Sequence, residues 1–303
     1  MSGTKELHEF QKIQENDAPL LIVFGQSNAH GHGTKLPPEE RILSPLSNVF
    51  GLERRYNQAY DLKDVVWSGF RTEGMNLGET QDHTYCLAEG FARLWQKKTE
   101  EGFPLPPLFI IQISIGAMGI AEKERDGLNM WWPGRPKVMK SGMLGDVDIS
   151  LYPLAVQILH LAVENLKRSG RNPRILGLHW NQWETEVDTG GEAVRNAPEN
   201  YRRLFAGFRQ AVGIPCPIWL YRPLSNVYNN PEGVAAITGM FETLAGSGED
   251  FYLMDLTRSG LWKPERKDKG IFQADLVHYL PEVHRYFARV AMEDANARYQ
   301  GYL

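Results

Sequence analysis

The chain has 303 residues, of which 42% are hydrophobic and 23% charged, and its formal net charge is −4. A chain of this length buries a substantial core. Its mildly acidic balance lacks the clustered Lys and Arg that a nucleic acid or an anionic membrane would require. The two cysteines, Cys86 and Cys216, exclude a disulfide framework, and neither stands in a CxxC or His-rich metal pattern.

The first stretch, MSGTKELHEFQKIQENDAP, is polar and lacks the apolar run of a signal peptide. It reads as the start of a cytoplasmic protein, or of a secreted one if a leader once preceded this chain. PLLIVF (19–24) is the first strand-length apolar run. Residues 34–85 then turn rich in Pro, Gly, Asn and charge, which reads as a long loop insertion with short elements. LFIIQISI (108–115) is the second run, followed by another insertion over 121–150 that contains WWPGRP. Leu154, Ile158, Leu161, Val163 and Leu166 give 151–170 the apolar side of a helix, with Gly170 as its stop. RILGLHW (174–180), PIWLYR (217–222) and FYLMDL (251–256) are further strand runs. They alternate with helical patterns over 199–213, 231–246 and 281–299, the last opening on Pro281.

Runs that are apolar without strict alternation fit strands covered on both faces, as in a parallel sheet. Alternation of such strands with helices predicts a three-layer α/β/α sandwich. No repeat, low-complexity tract or linker divides the chain, so one domain spanning 1–303 is expected. No segment approaches the ~20 apolar residues that a membrane-spanning helix needs.

Two segments carry chemistry. The first strand runs into GQSNAHGHG (25–33), which places Ser27 in a Gly-rich turn. In a parallel sheet, that turn opens onto the crevice where ligands bind. Backbone N–H groups there can receive an oxyanion, although such a serine equally suits a helix cap or a phosphate cradle. Near the other end stands FQADLVHYLPEVHRY (272–286), with Asp275 and His278 three residues apart. At that spacing the two side chains can point the same way. A carboxylate beside an imidazole fixes its tautomer and stabilises the imidazolium. Nucleophile, base and orienting acid are then all present. His30 and His32 form an HGH pair with no third ligand nearby, so no metal site and no cofactor are expected.

These segments resemble the SGNH hydrolase superfamily, and within it the acetylxylan esterase and sialate O-acetylesterase group of carbohydrate esterases. GQSNAHGHG is similar to that group's opening block, GQSNMxGxG, at Gly25, Gln26, Ser27, Asn28, Gly31 and Gly33. IQISIGAMGI (111–120) resembles the second block, with Gly116 on the first glycine of a Gly-Gly-Thr turn. HWNQWETEVD (179–188) resembles the WxQGExD block at Trp180, Gln182 and Glu184, and DLVH (275–278) reproduces the last block. The blocks follow the family order across 25–278.

The resemblance implies a flavodoxin-like parallel sheet of about five strands. It further implies Ser27 as nucleophile, His278 as base and Asp275 as its partner. The oxyanion hole would be formed by the N–H groups of Ser27 and Gly116 and the side chain of Gln182. Gln26, Asn28, His30, Trp131, Trp132, Trp183 and Glu184 are the candidate substrate contacts, and Glu184 is also an alternative partner for His278. The chain departs from the family at Ala117 and Met118, at Trp183 in place of glycine, and at Glu186 where aspartate is common. If the family glycine has a positive φ, Ala117 is strained there.

The expected function is hydrolysis of a small acyl ester, acetyl first, on a carbohydrate through an acyl-enzyme. The expected partner is a small-molecule or oligosaccharide ester, with no nucleic acid and no membrane. An esterase of non-sugar esters and a non-catalytic carbohydrate-binding protein are the alternatives, and the sequence sets no oligomeric state. Asp275 is expected to raise the pKa of His278 by stabilising its charged form.

Overall fold

A computed structural model describes residues 14–53, 64–78, 83–123, 129–134, 150–224 and 227–298. The opening stretch 1–13 and the parts of the two insertions at 54–63, 79–82, 124–128 and 135–149 lie outside the described residues. The strands are β1 (Asp17–Gly25), β2 (Val49–Leu52), β3 (Trp67–Gly69), β4 (Leu108–Ser114), β5 (Asn172–Asn181), β6 (Ile218–Tyr221) and β7 (Phe251–Met254). They form one sheet in the order β3-β2-β4-β1-β5-β6-β7. All neighbours pair parallel except β2 and β3.

Counted by themselves, β4, β1, β5, β6 and β7 lie in the 2-1-3-4-5 order of a flavodoxin-like sheet. The sheet is nevertheless seven-stranded. The insertion over 34–85 supplies β2, whose Val49, Phe50 and Gly51 pair with Leu108, Phe109 and Ile110, and β3 closes against it. These two short strands cover an edge of β4 that would otherwise present unpaired N–H and C=O groups.

The strands read as continuous apolar runs because the sheet is covered on both sides. β1 is buried from end to end. Successive side chains alternate between faces, so Leu20, Ile22 and Phe24 enter one core while Leu21 and Val23 enter the other. The first core lies under α3 (Leu151–Arg168), α5 (Gly191–Val212) and α6 (Pro231–Gly246). The second lies under α2 (Leu87–Glu100) and α7 (Pro281–Arg298). Each fully buried Leu, Ile or Phe contributes about 1.5–3 kcal/mol. Helix α2 was not among the expected elements, although Leu87, Phe91 and Trp95 recur at four-residue intervals and are all buried. Helix α5 starts eight residues before the expected position and runs through Pro198. A proline there costs the helix one backbone hydrogen bond, which the burial of Tyr201, Leu204, Phe205 and Phe208 offsets. No helix among the described residues is long and apolar enough to cross a membrane.

The register positions the chemistry. Gly25 at the end of β1 stands opposite Ser114 of β4 on one side and Asn181 of β5 on the other. The three chain segments that leave the sheet at this edge carry Ser27, Gly116 and Gln182 within two residues of its end.

Candidate active site

Ser27 opens α1 (Ser27–His30), a single turn that ends on Gly31 in the left-handed conformation. Two glycines make this turn possible. A Cβ on Gly25 (φ +143°) would lie 2.1 Å from the Asn181 carbonyl oxygen, and one on Gly31 (φ +76°) 2.1 Å from that of Tyr85. The chain therefore passes so close to β5 and to the 85 region that only glycine fits. Ser27 itself is partly exposed at the start of this turn, which the Ala29 and His30 N–H groups close on the Gln26 carbonyl at 2.8 and 3.4 Å.

Asp275 and His278 meet as expected. His278 Nδ1 and Asp275 Oδ2 are 2.7 Å apart, and Asp275 Oδ1 also accepts from the backbone N–H groups of Val277 and His278. With Nδ1 on the carboxylate, Nε2 is the imidazole nitrogen left for chemistry. The loop is closed by a bridge between Phe272 and Tyr279 and by the Gln273 N–H donating to the His278 carbonyl at 2.7 Å. Leu276 takes a positive φ of 62° to complete it.

This loop is stitched to the Ser27 turn by two amide side chains. Asn28 donates through Nδ2 to the Val277 carbonyl at 3.1 Å and accepts at Oδ1 from the Tyr279 N–H at 3.1 Å. Gln273 Nε2 donates to the His32 carbonyl at 2.8 Å and to that of Tyr279 at 2.9 Å. The His32 and His278 rings are in contact, with centroids 4.3 Å apart. Segments 241 to 251 residues apart in sequence thus form one wall.

The His278 imidazole is only 18% exposed, and burial lowers its pKa below the ordinary 6.5. The hydrogen bond and charge of Asp275 act in the opposite sense, and the neighbouring His32 adds to the lowering. The expected rise is therefore reversed, because desolvation of the imidazolium outweighs a carboxylate that is itself 46% exposed. Asp275 is held below the usual carboxylate range. Its burial works against this, and its bonds from the His278 ring and from the His278 and Val277 backbone outweigh that burial.

Glu184 stands at the head of α4 (Glu184–Thr189) and faces the Ser27 turn rather than His278. Its carboxylate accepts from Gln26 Nε2, from Asn28 Nδ2 at 2.7 Å and from the Trp183 N–H at 3.0 Å. Burial pushes this carboxyl up, and the donors only partly pull it back. Gln26 Oε1 accepts in turn from Thr185. Gln26, Asn28 and Glu184, read from sequence as possible substrate contacts, are each about 2% exposed and bonded to one another. Asp275 is thus the carboxylate that meets His278.

Gln182 is fully buried at the end of β5, with Nε2 donating to both oxygens of Glu186 at 2.7 and 3.0 Å. Gly116 is partly exposed beside Ala117, which does take a positive φ, of 62°. The other candidates divide. Trp131 is buried among Phe24, Trp180 and Phe208 and donates to the Gly25 carbonyl at 3.1 Å. Trp183 is buried as well, edge-on to Tyr228, whereas Trp132 is partly exposed and lies against Gly134. His30 is buried, and burial first, then the charges of His32, His278 and His284, lowers its pKa to about 3. Among the described residues, no three His, Cys, Asp or Glu side chains are grouped to hold a metal ion. Cys86 and Cys216 are buried free thiols, raised by burial to about 11 and 12.

Sequence reasoning missed Gln273, whose partners lie across the fold, and left Tyr201 out of the site. It noted Glu186 only as a departure from the block. A polar residue two positions before Asp275 was the one signal for Gln273.

The sheet order, the helical cover on both faces and the serine turn at the end of the first strand define the fold of the SGNH-type esterases. Among solved structures, the chain is similar to NanS, a sialate O-acetylesterase. The identity is 16% over 95% of this chain and 98% of that one, with a TM-score of 0.62. A protein from Arabidopsis thaliana is similar at 16% identity over 95% of this chain and all of that one, with a TM-score of 0.57. A carbohydrate acetylesterase from Xanthomonas citri aligns at 12% identity over 94% of this chain and 57% of that one, with a TM-score of 0.49. No family model matches the chain, and no curated protein matches it by sequence. At these identities the likeness is one of fold.

Proposed function

We propose that this protein is a serine esterase that removes a small acyl group, acetyl first, from a carbohydrate. The observation that carries the reading is the His278–Asp275 contact of 2.7 Å on a loop tied by Asn28 and Gln273 to the turn of Ser27. The likeness of fold to NanS, a sialate O-acetylesterase, supports the substrate class.

In this reading Ser27 Oγ attacks the ester carbonyl carbon while His278 Nε2 takes its proton. The oxyanion forms opposite the N–H groups of Ser27 and Gly116 and the amide of Gln182. The bond to the alcohol then breaks, and the imidazolium returns the proton to the departing sugar hydroxyl. Water, deprotonated by His278, attacks the acyl-Ser27 ester. The carboxylic acid leaves and the serine is restored. Asp275 holds Nδ1 throughout, so that Nε2 is the nitrogen that moves the proton.

The test is hydrolysis of p-nitrophenyl acetate and of acetylated sugars. Ser27→Ala and His278→Ala should each lose about 10³-fold or more in kcat with the fold intact, as in other triads. Equal rates for wild type and Ser27→Ala would refute the reading, and if neither exceeds the uncatalysed rate a non-catalytic carbohydrate-binding protein stands in its place.

A further inference from the structure

A fully buried carboxylate, Glu186, joins the two parts of the site that the serine turn does not supply. Its Oε1 accepts from the Ile120 N–H at 2.8 Å, at the far end of the turn that begins with Gly116. Its two oxygens take Gln182 Nε2, and Tyr201 reaches it at 3.3 Å while also standing 3.0 Å from the Gln182 carbonyl oxygen. Burial, with the charge of Glu186 next, raises the Tyr201 pKa well above 10, so the phenol stays a donor.

An ionised carboxylate only accepts, and a carboxamide has one end that donates and one that accepts. Glu186 therefore decides which end of the Gln182 amide faces it. Gln182 Oε1 is buried and accepts no hydrogen bond among the described residues, so that end has no competing anchor there. If the amide turned over, Oε1 would meet a carboxylate in a water-poor interior, which is unfavourable at both atoms.

We infer that Glu186 is a positioning residue of the oxyanion hole. It holds the Gln182 amide with its nitrogen end in place, and it pins the Gly116–Ile120 turn to α4. This rests on the esterase reading above. Glu186 does not touch substrate and moves no proton; it acts through Gln182 and Ile120. A glutamine at position 186 would offer its own N–H groups to Gln182 Oε1 and so permit the reversed amide.

The test is a double-mutant cycle on the full chain with p-nitrophenyl acetate as the probe. Glu186→Gln should lower kcat by about 10²-fold with KM within about twofold, the cost of losing one oxyanion donor. In a Gln182→Ala background, the same change should lower kcat by no more than about threefold, because the group it orients is already gone. Full additivity of the two losses, or a Glu186→Gln rate within about threefold of wild type, would overturn the inference. Circular dichroism and the unfolding temperature check that each variant is folded. If Glu186→Gln does not accumulate, Glu186→Ala, which removes the acceptor outright, enters the same cycle with the same two outcomes. A wild-type enzyme that is inactive, or active without Ser27, would instead mean that the esterase reading has failed.

Discussion

Replacing Asn28 by alanine separates two meanings of this side chain, a contact for substrate and a stitch between the serine and histidine loops. The Tyr279 N–H is buried and loses its acceptor, at a cost of about 1–3 kcal/mol. Glu184 loses one of its donors, a bond to a charged group worth about 1.5–3 kcal/mol. The Val277 carbonyl loses a neutral donor worth about 0.5–1.5 kcal/mol. After water fills part of the vacated space, a total of about 3–5 kcal/mol is expected, a large share of a domain's stability. Urea unfolding followed by circular dichroism reads this directly. With an m-value of about 3 kcal/mol/M, the midpoint should fall by about 1–1.7 M at unchanged m. In the same variant, kcat on p-nitrophenyl acetate should fall more than KM rises, because the His278 loop loses its register against Ser27. A midpoint within about 0.3 M of wild type, equivalent to about 1 kcal/mol, would refute the stitch. A pure KM effect would return Asn28 to the substrate.

Two further expectations concern protons. Since burial places the His278 pKa below 6.5, kcat/KM should rise with pH through a midpoint under 6.5 and be flat above neutrality. His32→Ala should move that midpoint up, by removing the neighbour that lowers it and admitting water, and a wild-type midpoint above 6.5 would contradict the burial argument. The second concerns His30, His179 and His284, all buried and each lowered by burial to about 3. Between that value and 6.5 the unfolded chain binds protons at these sites that the folded chain does not, so stability is lost as pH falls below 6.5. Each histidine contributes a slope approaching about 1.4 kcal/mol per pH unit, partly offset by Glu89 and Glu184, which burial pushes up. The urea midpoint should therefore drop between pH 7.5 and 5.0, and an unchanged midpoint would show that these imidazoles are hydrated or paired.

The amino-acid sequence by itself determined the features whose physical cause is local or periodic. PLLIVF, LFIIQISI and RILGLHW read as buried strands because a sheet covered on both faces needs apolar side chains at every position, not at alternate ones. Asp275 and His278 read as a pair because a spacing of three residues within one turn almost forces their contact. The glycines of GQSNAHGHG mark a turn in which Gly25 and Gly31 leave no room for a Cβ, and the resemblance adds Ala117 as strained if the glycine it replaces has a positive φ, the conformation that Ala117 takes.

Only the tertiary structure decided what depends on partners far along the chain. It supplied two edge strands from the 34–85 insertion, because β4 needs a neighbour that no pattern in Val49–Leu52 announces. It turned Gln26, Asn28 and Glu184 inward onto one another, across separations of more than 150 residues. It buried Trp131, which the sequence offers only as a candidate substrate contact, in the core against Trp180. And it reversed the sign of the His278 shift. A sequence names the carboxylate beside an imidazole, but the desolvation of that imidazole is set by everything that folds around it.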